Sequence, residues 1–324
     1  MTPAWTISAD GTDVTATLAQ YLVSLSLTDQ AGMESDTLQL VIADPEAVIA
    51  MPRIGAVLSV ALGYAHTGPV SMGAYTVDTV ELANPPRQLT IRAHAADLRE
   101  GMKRRKTKGW ESTTIGEIVT AIASAQGLTP AIGADLADIA VARIDQTNES
   151  DISFLTRLGQ QYDAIATIKS GRLIFAKRGQ GAATSGQPIE AVELSPLDCT
   201  SWRISLSETD KYTAAEARYY DRTTASEEWI RSGTGEGEAV LRLRQTFPDR
   251  ARAKAAADAR LAAITRGNAT LSLTMPGNTA LAAETPVTLA GFAPELDGRW
   301  VLTTATHTLD SGGYSTAVEG ERAA

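Results

Sequence analysis

Gly73-Ala74-Tyr75-Thr76-Val77 and Gly298-Arg299-Trp300-Val301-Leu302 share one signature: glycine, spacer, aromatic, spacer, apolar residue. Two further matches flank them in the same order. Val57-Leu58-Ser59-Val60 lines up with Val287-Thr288-Leu289-Ala290, and Leu89-Thr90-Ile91-Arg92-Ala93 with Ser315-Thr316-Ala317-Val318-Glu319. Strands of unrelated barrels share any one such pattern, but three in order at an offset of about 225 to 230 residues predict an internal duplication.

Around these matches the chain alternates apolar and polar residues, the period of a strand with one buried face. Val23, Leu25 and Leu27 point one way, and Ser24, Ser26 and Thr28 the other. The pattern returns at Leu38, Leu40 and Ile42, at Leu58, Val60 and Leu62, at Tyr75, Val77 and Thr79, and at Leu89, Ile91 and Ala93. Strands separated by turn-rich gaps predict a small antiparallel barrel or sandwich over residues 1–98, read as a barrel. Patterning resumes at Trp202 to Leu206, Ala215 to Tyr220, Leu271 to Met275, Val287 to Leu289, Trp300 to Thr304 and Ser315 to Glu319. A second, related barrel is expected over 189–324, with an Ala-rich helix opened by Pro248 and ending before Gly267.

Residues 99–188 read as an α+β insert. Thr114 and Glu117 form a Thr-x-x-Glu capping box, Ile115, Ile118, Val119 and Ile122 share one helical face, and Gly127 supplies a left-handed stop. A second helix is expected from Asn148 as cap, with Ile152, Leu155, Leu158 and Tyr162 inward. Strands Ala164 to Ile168 and Arg172 to Ala176 follow, joined by a Lys169-Ser170-Gly171 turn. Gly179 to Gln187 reads as a Gly/Ser-rich linker. The fold class is thus β-rich α+β, two related antiparallel β-barrels with an α/β insert.

A chain of 324 residues can bury two or three cores. Its net charge of −9 argues against a protein built to neutralise phosphates, and an acidic wall lets DNA slide past. The single Cys199 excludes an internal disulfide and points to a reducing compartment, the cytoplasm in which such a chain is made. His66, His94 and His307 are scattered, so no metal and no cofactor is expected. No basic region precedes an apolar core at the N-terminus, and no apolar run approaches the roughly 18 residues of a span, so neither a secretion signal nor membrane insertion is expected.

Several clusters admit a chemical reading beside a structural one. Asn148-Glu149-Ser150-Asp151 gathers oxygens that suit a metal or acid/base work, and helix capping explains the same residues. Lys103, Arg104, Arg105, Lys106 and Lys108 form a basic run that fits an acidic partner surface or a solvated turn, with DNA or a passing protein segment as the alternative. Gly233-Thr234-Gly235-Glu236-Gly237 lacks the Lys-Ser/Thr of a phosphate loop and reads as a hairpin tip. His307 lies in an alternating strand, no Gly-x-Ser-x-Gly elbow accompanies it, and no catalytic set is expected. Trp110, Trp202, Trp229 and Trp300 read as core or interface anchors.

The chain resembles the late control D proteins, the baseplate hubs of contractile-tailed phages. The resemblance rests on Leu25-Ser-Leu-Thr-Asp-Gln-Ala-Gly32 with Glu34-Ser-Asp36, on Trp110 with Thr114-Ile-Gly-Glu-Ile118 and Gly127-Leu-Thr-Pro130, and on Ile144-Asp-Gln-Thr-Asn-Glu-Ser-Asp-Ile-Ser-Phe-Leu-Thr-Arg-Leu158. Gly171-Arg-Leu-Ile-Phe175, Asp297-Gly-Arg-Trp300, His307-Thr-Leu-Asp310 and Gly313-Tyr314 extend it over most of the chain. It implies tail-tube-like barrels in a homotrimer with pseudo-sixfold symmetry, which matches a hexameric tail tube protein to a trimeric spike protein. Related hubs occur in type VI secretion spikes and R-type bacteriocins. The chain has no long repetitive β-helix, so the spike is expected to be a separate polypeptide. A tape-measure protein and other baseplate proteins are further expected partners, DNA is cargo only, and the location implied is the virion tail baseplate. Two other functions compete: a tail-associated cell-wall hydrolase, motivated by paired carboxylates, and a nucleic-acid-binding regulator, which the acidic composition disfavours.

Overall fold

All the alternating stretches but Ala215 to Tyr220 become strands of one continuous 13-stranded sheet. The computed structural model describes residues 1–95, 100–169, 171–179, 190–207, 212–221, 223–234 and 239–323. The N-terminal part contains β1 (Pro3–Ala9), β2 (Thr12–Asp13), a single helical turn α1 (Thr15–Leu18), β3 (Leu22–Gln30), β4 (Thr37–Ala43), β5 (Val57–Tyr64), β6 (Gly68–Ala83) and β7 (Gln88–Ala95). Its core holds Leu25 and Leu27 of β3, Leu38, Leu40 and Ile42 of β4, Leu58, Val60 and Leu62 of β5, and Leu89, Ile91 and Ala93 of β7. Two expected inward positions turn out. A bulge between Leu22 and Ser24 leaves Val23 exposed, and another between Val77 and Thr79 does the same to Thr79. One extra residue reverses which face a side chain meets.

After a 3-10 turn (Glu100–Lys103) come β8 (Lys106–Thr114), α2 (Ile115–Ala125), β9 (Thr129–Ile132), a turn of helix α3 (Ala134–Ala137), β10 (Ala140–Glu149), α4 (Asp151–Tyr162), β11 (Ala164–Lys169) and β12 (Arg172–Lys177). The capping box forms: Glu117 N donates to Thr114 Oγ1 at 3.2 Å, and Thr114 N to Glu117 Oε2 at 3.1 Å. Gly127 stops the helix at φ +67°. Ile115, Ile118, Val119 and Ile122 of α2 meet Phe154, Leu155, Leu158 and Tyr162 of α4 over Leu173 and Phe175, in a core separate from that of the first strands. Trp110 stacks on Phe154 with 6.3 Å between ring centroids.

The cap of α4 is Ser150, whose side chain accepts from Ser153 N, and Asn148 is not the cap. Ile144–Glu149 is strand, paired with β8 so that Ile144 faces Trp110, and Asn148 sits at φ +47° with its N–H on Thr107 Oγ1. The ladder to β8 claims the backbone two residues further than the local capping preference predicts.

The C-terminal part contains β13 (Val192–Leu194), a 3-10 turn (Pro196–Asp198), β14 (Ser201–Leu206), β15 (Ala214–Asp221), β16 (Ser226–Gly233), β17 (Val240–Phe247), α5 (Arg250–Gly267), β18 (Ala269–Pro276), β19 (Pro286–Leu289), β20 (Gly298–Asp310) and β21 (Gly313–Arg322). β15, β16 and β17 form their own sheet in the order β16-β15-β17, covered by α5, whose Ala253, Ala256 and Ala257 lie on Ala215, Ala217, Tyr219 and Phe247. β16 and β17 flank β15 and do not pair, so the segment that begins at Gly233 is a crossover and no hairpin tip; its residues 235–238 lie outside the described residues. Most of the expected Gly/Ser-rich linker, from residue 180 on, lies outside them too.

The remaining strands enclose Leu271, Leu273, Val287, Leu289, Trp300, Leu302 and Val318. Their hydrogen-bonded order is β14-β18-β21-β20-β19-β13, and that of the first part is β3-β4-β7-β6-β5-β1. The orders match strand for strand; at the sixth place β1 runs antiparallel to β5, whereas β13 runs parallel to β19. β20 pairs with β3 and joins the two sets into one sheet.

Candidate functional site

The duplication shows where the two sets of strands are joined. Leu58 faces Tyr75 and Val60 faces Gly73; in the second set Val287 faces Trp300 and Leu289 faces Gly298. On the other side of β6, Val77 faces Ala93, a bulge follows, and Val80 faces Ile91; on β20, Leu302 faces Gly320, a bulge follows, and Ala305 faces Val318. Gly55 N donates to Val77 O at 2.8 Å, and Glu284 N to Leu302 O at 2.8 Å. Gly55 and Glu284 both hold the left-handed conformation, at φ +84° and +67°. These pairings make Leu58 the counterpart of Val287 and Ile91 that of Val318, one residue away from the alignment read in sequence. A match by residue type placed exposed Val57 against buried Val287, and only the ladder corrects such a slip.

The joint between the sets is the β20·β3 ladder, running from Thr304 opposite Gln30 to Asp310 opposite Ser24. A polar cluster is buried behind it. Lys169 Nζ, from the insert, donates to Asp29 Oδ1 at 2.7 Å, and Ala283 N donates to Asp29 Oδ2 at 3.2 Å. Asp36 Oδ1 accepts from Gln30 N at 3.1 Å. Burial, and then the Asp29 carboxylate, push the Asp36 carboxyl up to about 7, while burial pushes Glu284 up to about 7 against the nearby Arg178 and Lys169 cations. His307 lies 3.0 Å from Leu281 O through Nε2, so that nitrogen carries the proton and Nδ1 accepts from the Tyr314 or Thr316 hydroxyl, each at 3.0 Å. Burial lowers its pKa and keeps the ring neutral, a structural role.

A second clasp fixes the insert to α5 and β21. Arg266 forks onto the Asp163 carboxylate, with Nη1 at 2.8 Å from Oδ2, and its Nε reaches Glu321 Oε1 at 3.1 Å. Asp163 occupies the left-handed C-cap position of α4 at φ +51°, which aims its side chain at α5. The sequence pattern offers no signal for either clasp, because the partners lie far apart along the chain and are common surface residue types.

The structure divides the basic run. Lys106 Nζ lies 2.8 Å from the fully buried Asp151, which also accepts from Gln146 Nε2 at 3.1 Å. Lys108 sits 3.6 Å over the Trp110 ring. Lys103, Arg104 and Arg105 face solvent. The acids at 148–151 are likewise used internally, Asp151 by Lys106 and Glu149 by Arg157 at 2.8 Å. Among the described residues no group of three or more His, Cys, Asp or Glu could hold a metal ion. Of the four tryptophans expected as anchors, Trp110 and Trp300 are core, and Trp202 and Trp229 are exposed.

Two like sets of strands joined in one mostly antiparallel sheet have the fold of known tail proteins. The 43 kDa tail protein of prophage MuSo2 from Shewanella oneidensis superimposes at a TM-score of 0.71, with 15% identity, over 99% of this chain and 98% of that one. A probable baseplate hub protein of Escherichia phage 186 is 31% identical over 99% of this chain and 93% of its own length. Its namesake in Escherichia phage P2 is 30% identical over the same shares. The profile of the phage tail baseplate hub family (GPD) matches residues 35–313, and the chain belongs to that family. Its role is that of a structural hub in the tail baseplate.

Proposed function

We propose that the chain forms a homotrimeric ring that joins a hexameric tail tube to a trimeric spike. The observation that carries this reading is the strand-for-strand duplication, down to the shared bulge after Val77 and Leu302. Three copies of a chain with two like barrels present six like units around one axis, and so adapt sixfold to threefold symmetry. The ring is a connector without catalytic activity, a reading supported by the internal use of its buried acids Asp29 and Asp151 and of the partly buried Asp163. Lys103, Arg104 and Arg105 are the part of the basic run free to meet an acidic baseplate partner.

Native mass measurement of the purified chain is expected to give three times 34.2 kDa, and mixing with the spike protein of the same particle to give a larger complex. A monomer at high concentration that ignores the spike would overturn the reading. Replacing Lys103, Arg104 and Arg105 by Ser should impair tail assembly; normal tails with reduced DNA ejection would move the contact to the channel. A clear zone on a peptidoglycan gel, lost on carboxylate substitution, would make the protein an enzyme.

A further inference from the structure

The duplication leaves two strand edges open, and each is the counterpart of an edge used in the β20·β3 joint. β14 is the counterpart of β3: Leu25 faces Leu40 of β4 as Trp202 faces Leu273 of β18, and Leu40 and Leu273 face Ile91 and Val318. Among the described residues β14 pairs with β18 alone, so its outer edge ends the sheet. β6 is the counterpart of β20. Its ladder with β5 stops at Val57 opposite Thr76, so among the described residues 79–83 have one edge on β7 and the other unpaired. That unpaired edge corresponds to residues 304–308 of β20, the part that holds β3.

Exposure separates the two cases. Within the joint, Leu25 and Leu27 are 0% and 1% exposed and His307 is 0%. On the open edges the counterparts of Leu25 and His307 are bare, Trp202 at 47% and Leu82 at 41%, and Leu206, in the place of Asp29, is 54% exposed. An apolar strand edge left open invites another strand, and proteins that keep one need it for pairing.

We propose that the ring closes by repeating the internal joint in trans: residues 79–83 of one copy pair antiparallel with β14 of the next. This rests on the trimer proposed above and supplies its seam. The register of the internal joint sets the pairs. Ala305 opposite Asp29 becomes Val80 opposite Leu206, and His307 opposite Leu27 becomes Leu82 opposite Ile204. Apolar side chains thus meet across the seam where the internal joint carries a histidine and an acid. Each copy offers one edge of each kind, so the contact is heterologous and its repetition about an axis gives a ring.

The test is a double variant, Glu81→Cys with Ser205→Cys, in a Cys199→Ser background. These positions face each other across the seam, within disulfide reach for directly opposed strand residues. Inside one chain six strands separate β6 from β14, so they cannot bridge in cis. Oxidation is expected to give a covalent trimer as the main species on a non-reducing gel, and the single variants no ladder. A companion variant, Leu206→Arg, should convert the native trimer to a folded monomer with an unchanged far-UV circular dichroism spectrum, since Leu206 is exposed in the single chain. A wild-type trimer whose double variant does not cross-link and which ignores Leu206→Arg overturns the seam and leaves the trimer standing. A monomeric wild type overturns both.

Discussion

Lys169 of the insert and Asp29 of β3 form a 2.7 Å ion pair, and the second oxygen of that carboxylate takes the backbone N–H of Ala283, just before β19. One carboxylate thereby ties β3, β11 and the segment before β19 together. The pair is half-buried, which makes it worth more than a surface bridge and less than a fully enclosed one.

Lys169→Met should therefore cost about 2 kcal/mol in urea denaturation. Adding Asp29→Asn to it should recover part of the loss, since the stranded carboxylate is then gone. Equal stability of Lys169→Met and the wild type would show that the tie carries no load.

The protons on Asp36 and Glu284 predict a pH dependence. Both carboxyls are raised to about 7 in the folded chain and ionise near 4 when unfolded. The folded state then binds more protons between about pH 4 and 7, so these groups stabilise it fully at the acid end and lose that contribution as pH rises through 7. His307, kept neutral by burial, works the opposite way as pH falls below its ordinary value. Comparing the wild type with Asp36→Asn separates them: the stability lost between pH 5 and 8 should be smaller in the variant. An identical loss would show that Asp36 titrates normally.

Glu284 stands where the first set has Gly55, in the same left-handed turn and making the same backbone bond. A non-glycine residue there is strained, and this one also buries a carboxyl. Glu284→Gly should stabilise the chain by about 1 kcal/mol at pH 8, with less gain at pH 5 where the acid is protonated. The melting temperature at the two pH values tests it; a lower melting temperature at pH 8 would assign the carboxyl a positive role beside Arg178.

Thr114 closes both bonds of the α2 capping box. Thr114→Ala should cost about 1 kcal/mol, and Thr114→Ser almost nothing, because the hydroxyl is what accepts from Glu117 N. Amide hydrogen exchange at Glu117 should rise in the alanine variant alone.

The strands were legible wherever inward and outward residues alternate, since period-2 burial is written within a few residues. The Thr114 box and the Gly127 stop were legible for the same reason. The cap of α4 was not: Asn148 and Ser150 both suit an N-terminus, and the pairing of β10 with β8, a non-local ladder, decided between them. The basic run was visible as charge, but its division was not: Asp151 claims Lys106 only once α4 packs against β8, and Lys108 meets Trp110 because the run enters a strand and puts both on one face. The Asp29 and Lys169 partners lie 140 residues apart, and no local pattern marks them.

By itself the sequence determined that this protein is duplicated and β-rich with an insert, and which residues carry its family likeness, because strand period, caps and motif composition are local properties. The tertiary structure decided the register of the two halves, correcting by one residue the match around Val57 and Val287. It also decided which strand edges are spent inside the chain and which stay open. Register and edge use depend on bulges and on partners hundreds of residues away, and a backbone that pairs with a distant strand leaves no mark in its own side chains.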